Sequence, residues 1–294
     1  MGKTTAPLKY PGAKWSCASW ITSHFPAHRF YIEPFFGSGA AFFNKAPSRF
    51  ETINDIDGLV VNFFRACRDY PEQLARAINL TPFARDEYNA IREDQAGEDV
   101  ILTGDCVEDA RRFAVRCSQS FGSKLADRCG WKNTKHSSGP VNPLVWAKIP
   151  ETVIELAQRL KNAQIENTDA VTLIRDCNAE DCLIYADPPY LGETRKSKRI
   201  YRHEMLISEM HEKLLRALLD HKGKVVISGY DNTLYNGMLK GWAKDTRESR
   251  ANSAALRIET IWCNFDLKQK HSDQLDLFSV QLDKKKKNEG IGTE

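Results

Sequence analysis

The sequence has no cysteine pair at C-x-x-C spacing, although it carries eight cysteines: Cys17, Cys67, Cys106, Cys117, Cys129, Cys177, Cys182 and Cys263. The nearest two, Cys177 and Cys182, have no histidine at ligand spacing, so a zinc site is not indicated and no metal is expected. The set reads as reduced thiols of a cytoplasmic protein. There is no run of about 18 apolar residues and no secretory core segment, so neither membrane insertion nor export is indicated. Strong net charge is also missing: +3 over 294 residues argues for no particular partner. No internal repeat is present. With 41% apolar and 28% charged residues, the chain has the composition of a soluble globular protein with ample core.

Charge is distributed unevenly even though the total is small. From Thr81 to Ala110 nine acids face only Arg85 and Arg92, and from Arg111 to Lys135 seven basic residues face only Asp127. A fold that keeps these blocks apart presents a basic face to a polyanion, though a solvated helix surface has the same composition. The run Lys284–Lys287, followed by Gly290 and Gly292, reads as a flexible tail over 271–294.

Hydrophobic patterning predicts an α/β fold. "FYIEPFFGSGAAFFN" is a strand ending near Glu33, a glycine loop, and a helix from about Gly39. "ETINDIDGLVVNFFRACRDY" repeats the rhythm, with a strand to Asn54 or Asp55 and a helix that Asp57 can cap. Two such units in succession favour a parallel sheet. The rhythm then breaks for about a hundred residues of helical pattern such as "CVEDARRFAVRCSQSF", and resumes after Pro150 with strands near Ala163–Glu166, up to Asp187, in "GKVVISGY" and in "ALRIETIWCNF". The division predicted is a discontinuous domain, 1–69 and 150–270, interrupted by a helical insert over 70–149.

Two loops carry the candidate chemistry. In "EPFFGSG", Gly37 and Gly39 let a ligand approach the backbone where a strand turns into a helix N-terminus. The loop lacks the Lys-Ser or Lys-Thr of a phosphate-binding loop. Asp55, at the end of the next strand, stands where a carboxylate can accept hydrogen bonds from ribose hydroxyls. In "LIYADPPY", neither Pro188 nor Pro189 can donate to a ladder, so the buried strand must stop at Asp187. Each ring fixes its own φ, which makes a stiff turn that holds Asp187 and Tyr190 where open α/β sheets bind ligands.

Taken together and in order, "LKYPGAKW", "EPFFGSG", "NDID" and "DPPY" resemble the adenine-N6 DNA methyltransferases of the DNA adenine methylase type. The resemblance extends to about Phe265. It implies a Rossmann-like sheet of the S-adenosylmethionine-dependent kind with a helical target-recognition insert, acting on double-stranded DNA, with a monomer expected. It implies cofactor contacts at Tyr10, Lys14, Glu33, Pro34, Phe35, Gly37, Ser38, Gly39, Asp55, Asp169 and Asp187. It further implies a catalytic turn formed by Asp187, Pro188, Pro189 and Tyr190.

An adenine amine is a weak nucleophile because its lone pair is delocalised into the ring. Asp187 and the Pro188 carbonyl would accept its two N–H bonds, and Tyr190 would stack on a base flipped out of the duplex. Arg195, Lys196, Lys198 and Arg199, with Arg202 beyond them, would meet phosphates beside the pocket. In the insert Arg111, Arg112, Arg116, Lys124, Arg128 and Lys132 would contact DNA. Cys117 and Ser118 stand where many relatives carry Asn-Arg before "QSFG", so no recognition sequence is carried over. RNA adenine or cytosine-N4 methylation, and a noncatalytic nucleic-acid-binding role, are the alternatives.

Overall fold

The computed structural model describes residues 6–92, 100–121, 125, 129–133, 141–194, 200–250 and 256–267. Seven strands form one sheet: β1 (Phe30–Glu33), β2 (Phe50–Asn54), β3 (Ala163–Glu166), β4 (Cys182–Ala186), β5 (Lys224–Gly229), β6 (Ala243–Arg250) and β7 (Leu256–Cys263). Their order is β3-β2-β1-β4-β5-β7-β6. The five strands from β3 to β5 run parallel, and β7 is antiparallel to both β5 and β6.

Alternation along the strands builds a core on each face. Tyr31, Ile53, Leu183, Tyr185 and Val226 join one buried cluster, while Ile32, Ile184, Val225 and Ile227 join the other. The first face is covered by α1 (Ala18–Ser23), α2 (Ala40–Asn44), α3 (Gly58–Asp69) and α8 (Ile149–Leu160). The second is covered by α9 (Ala170–Asp176), α10 (Ser208–Leu219) and α11 (Thr233–Met238). Removing each large side chain from water contributes roughly 1.5–3 kcal/mol before the entropy of ordering is set against it. A strand buried on both faces, as every residue of β4 is, has no polar position to spare. Its chemistry is therefore confined to the residues that follow Ala186.

The helices between α3 and α8 are α4 (Pro71–Asn79), α5 (Arg85–Arg92), α6 (Cys106–Gln119) and α7 (Asn142–Trp146). Leu74 and Ile78 of α4 and Phe113 of α6 belong to the same buried cluster as Phe63 and Phe64 of α3, so this helical layer shares its core with the sheet.

Among the described residues, part of the charge segregated along the chain is paired in space. Arg111 of α6 donates to Glu87 at 2.5 Å and to Glu108 at 2.7 Å, and Arg112 donates to Glu108 at 2.8 Å. Arg116 corrects the expectation of a DNA contact. Its side chain is fully buried and its guanidinium donates to the carbonyls of Leu125 and Arg92 at 3.0 and 3.3 Å. Lys124, Arg128, Arg195, Lys196, Lys198, Arg199 and the 271–294 tail lie outside the described residues. All eight cysteines are free. Among the described residues no helix is long and apolar enough to cross a membrane, and no three His, Cys, Asp or Glu side chains are grouped to hold a metal.

Candidate active site

Between β1 and β4 the strand order reverses direction, and a crevice opens at the carboxyl ends of the two strands. The loop after β1 turns into α2 through Gly39, which caps the helix at φ 71°. A Cβ there would lie 2.6 Å from the rings of both Phe36 and Phe43, so only glycine lets the loop close over this aromatic cluster. Trp15 Nε1 donates to Ser38 Oγ at 2.9 Å and ties the loop to the N-terminal segment.

Asn54 fastens three strand ends together. Its amide donates to the carbonyls of Pro34 and Thr168 at 2.9 and 3.0 Å, and its Oδ1 accepts from Thr168 N–H at 2.9 Å. Asp55 is thereby held beside the glycine loop, where its Oδ2 accepts from Gly37 N–H at 2.8 Å and its Oδ1 from Asp57 N–H at 2.9 Å. Asp57 caps α3 by accepting from Leu59 N–H at 3.0 Å, as its position predicted. The same oxygen pairs with Arg202 Nη1 at 2.7 Å, and both side chains are buried. Arg202 is therefore an internal partner of Asp57, a correction to its reading as part of a phosphate-facing loop. Asp169 is exposed and caps α9, its Oδ1 accepting from Thr172 N–H at 3.0 Å.

At the end of β4, both carboxylate oxygens of Asp187 are held: Oδ1 accepts from Ser228 Oγ at 2.8 Å and Oδ2 lies 3.1 Å from Lys14 Nζ. Lys14, an expected cofactor contact, lines the cavity, and its ammonium donates to the Gly12 carbonyl at 2.8 Å, pairs with Asp187, and lies 4.6 Å from the centre of the Tyr190 ring. Tyr190 donates its hydroxyl to Glu259 Oε2 at 2.6 Å and packs against Tyr230 in a T-shaped contact with centroids 4.5 Å apart.

These segments enclose a cavity of about 970 Å³ lined by Tyr10, Glu33, Gly37, Asp55, Asp187 and Tyr201, among others. Burial pushes the Glu33 carboxyl up to about 8, against the opposing hydrogen bond from Tyr31. Burial and then neighbouring Asp57 push Asp55 up to about 7. Asp187 is also raised by burial, with Lys14 the main opposing influence. For Lys14, burial alone would lower the ammonium, but Asp187 and then Glu259 more than offset it and hold it charged. The cavity is thus lined by several acids, of which Asp187 is paired with Lys14 and Asp57 with Arg202.

Residues 10–253 match the family described as D12 class N6 adenine-specific DNA methyltransferase. The chain belongs to this family. The methyltransferase is 26% identical over 251 residues to the Type II methyltransferase M1.LlaDCHI of Lactococcus lactis subsp. cremoris, covering 80% of this chain and 86% of that one. It is 35% identical over 72 residues to the DNA adenine methylase of Vibrio cholerae, covering 24% of this chain and 26% of the relative. The Escherichia coli protein yhhF, itself named only as a candidate methyltransferase, overlaps 83% of this chain and 80% of its own at 13% identity with a TM-score of 0.31, too loose a superposition to carry an argument.

The enzyme methylates adenine N6 in DNA, which removes the RNA, cytosine and noncatalytic alternatives. Sequence reasoning missed Asn54, Ser228, Tyr230 and Glu259 at this site, and gave Arg202 to the phosphate-facing loop. Only Asn54 sits in a motif, the "NDID" segment; the others stand on elements whose approach to the "DPPY" turn is set by the fold. Lys9 is half-buried, and burial and then the ammonium of Lys132 lower it to about 8.

Proposed function

We propose that S-adenosylmethionine is the methyl donor, held at the carboxyl ends of β1 and β4, and that the target adenine enters flipped out of double-stranded DNA against Asp187, Pro188, Pro189 and Tyr190. The observation that carries this reading is the convergence of Tyr10, Glu33, Gly37, Asp55 and Asp187 on one cavity from four sequence segments. The residues fit such a cofactor. A cavity of about 970 Å³ suits a small molecule, and buried Glu33 and Asp55 offer carboxyls to a ligand bearing positive charge and hydroxyls. Gly37 adds no side chain where a Cβ would stand 3.1 Å from the Tyr10 ring.

When bound, S-adenosylmethionine supplies an electrophilic methyl whose bond to sulfur breaks as the adenine nitrogen bonds to it. The protein's part is to make that nitrogen nucleophilic. Asp187 accepts one amine N–H and the Pro188 carbonyl the other, so the nitrogen pyramidalises and its lone pair leaves the ring system. Ser228 and Lys14 aim the carboxylate before substrate arrives, and Lys14 favours its ionised form against burial. The charge that develops on nitrogen then meets a fixed, preorganised anion. Tyr190 stacks on the base and offsets part of the unstacking cost, since such stacking contributes about 1–3 kcal/mol.

Pro34, Phe35, Ser38 and Gly39 form the floor under the donor with Glu33 and Gly37, and Asp169 stands at the rim on the side of the donor's base. Tyr10 walls the cavity. Lys14 serves Asp187 in this reading and does not hold the donor. The 70–149 insert reads the target, with Lys9 and Lys132 offering adjacent ammonium groups to DNA, Arg112 a more weakly committed one, and Arg111 tied to Glu87 and Glu108. The test is methyl transfer from labelled S-adenosylmethionine to duplex DNA in the presence of a chelator, with product nucleosides resolved by mass spectrometry. The expected product is N6-methyldeoxyadenosine. Label on cytosine, or binding of cofactor and DNA with no transfer, would overturn the reading.

A further inference from the structure

We propose that Glu259 is a positioning residue for Tyr190, fixing the tyrosine ring for base capture before the DNA arrives. Glu259 belongs to β7, far along the chain from the "DPPY" turn, and no motif marks it. Its side chain is only 8% exposed, yet it is a carboxylate on a strand whose neighbours Ile261 and Cys263 pack into the apolar core. Burying an acid without function is costly, and the partner it has found is the Tyr190 hydroxyl, at 2.6 Å. A hydroxyl donating to a carboxylate makes a short, charge-assisted bond of about twice the strength of a neutral one.

Three contacts then fix the ring. Glu259 holds its hydroxyl, the Tyr230 ring meets it at 69° with centroids 4.5 Å apart, and the Lys14 ammonium lies 4.6 Å from its centre. A tyrosine on a loop would otherwise lose rotamer freedom when a base stacks on it, weakening capture. A ring held in advance removes that cost and keeps the stacking face aligned with Asp187. Glu259 also acts on the other side of the site, because its charge helps hold Lys14 protonated beside Asp187. The antiparallel insertion of β7 beside β5 brings this carboxylate under the loop that follows β4.

The inference rests on the proposed role of Tyr190, and the experiment separates the two. Single-turnover methylation and fluorescence of 2-aminopurine at the target position are measured for Glu259→Ala, Glu259→Gln, Tyr190→Phe and the double variants. Glu259→Ala should lower both the flipped-base signal and the transfer rate by about tenfold, the scale of one hydrogen bond to a charged group, with cofactor affinity unchanged. Glu259→Gln, which keeps an acceptor and guards against a folding defect, should recover most of the loss. In the Tyr190→Phe background, Glu259→Ala should have little further effect on the flipped-base signal. Wild-type capture and rate in Glu259→Ala, or a full loss in both backgrounds, would overturn the inference. A ring probe independent of activity, the ¹⁹F resonance of fluorotyrosine at position 190, should be single and sharp in the free enzyme and averaged in Glu259→Ala. An unchanged resonance would overturn Glu259 as the anchor even if Tyr190 stacks on the base, whereas normal capture in Tyr190→Ala would overturn the role of Tyr190 itself.

Discussion

The Lys14 ammonium lies 3.1 Å from Asp187 Oδ2, with the lysine side chain 6% and the aspartate 18% exposed. A buried pair of this kind is a weak source of stability, because desolvating both charges offsets most of their attraction. Its value here is directional: Lys14 opposes the rise that burial imposes on the Asp187 carboxyl, and it does so within reach of an incoming amine.

Removing that lysine should therefore move a pH profile. Asp187 accepts the amine N–H as a carboxylate, so the rate of methyl transfer falls as pH drops through its folded-state pKa. Burial already raises that pKa and Lys14 opposes the rise. In Lys14→Met the opposing charge is gone, the pKa rises further, and the rising limb of the single-turnover rate should shift to higher pH. A limb that stays in place would show that Lys14 does not govern Asp187.

Cofactor binding should release protons at neutral pH. In the free enzyme Glu33 and Asp55, raised to about 8 and about 7 chiefly by burial, are partly protonated there. A bound cation beside them favours the carboxylates, so protons must leave. Calorimetry in buffers of different ionisation heat should give enthalpies that vary in the direction of proton release, and Glu33→Gln should reduce the variation. Buffer-independent enthalpy would contradict the placement of positive charge beside these acids.

Arg202 should matter for folding and cofactor affinity more than for DNA binding. Its pair with Asp57 is buried on both sides, and deleting one partner of such a pair typically costs about 3–5 kcal/mol by stranding the other charge. Arg202→Ala should lower the melting temperature and weaken S-adenosylmethionine binding, while the salt dependence of DNA affinity stays close to wild type. A large change in that slope with normal stability would return Arg202 to the phosphate-facing set.

Much of the catalytic half was legible in the sequence because its signals are local. The alternation before Asp187, the glycine turn after Glu33 and the capping position of Asp57 each act within a few residues, and the structure has them as read. β6 was not legible: "AKDTRESR" shows no apolar alternation, because it is an edge strand paired only with β7, where charged residues are tolerated and discourage further pairing. The charge blocks misled for the opposite reason. Their separation along the chain is partly offset, among the described residues, where α6 lays Arg111 and Arg112 against Glu87 and Glu108. Arg116 looked like a surface cation until packing showed it buried against the carbonyls of Arg92 and Leu125. The support around Asp187 from Ser228 and around Tyr190 from Tyr230 and Glu259 depends on strands that come together only in three dimensions.

The most direct test of the account is single-turnover methyl transfer by Asp187→Asn, with cofactor and DNA affinities measured on the same preparation. The substitution keeps the shape of the side chain and the acceptor facing Ser228, but it removes the charge and turns one acceptor into a donor that meets the target amine wrongly. Losing a preorganised charged group of this kind costs on the order of 2–4 kcal/mol of transition-state stabilisation, so the rate should fall by roughly a hundredfold or more, with both affinities changed far less. An Asp187→Asn enzyme that transfers methyl at the wild-type rate would contradict the mechanism.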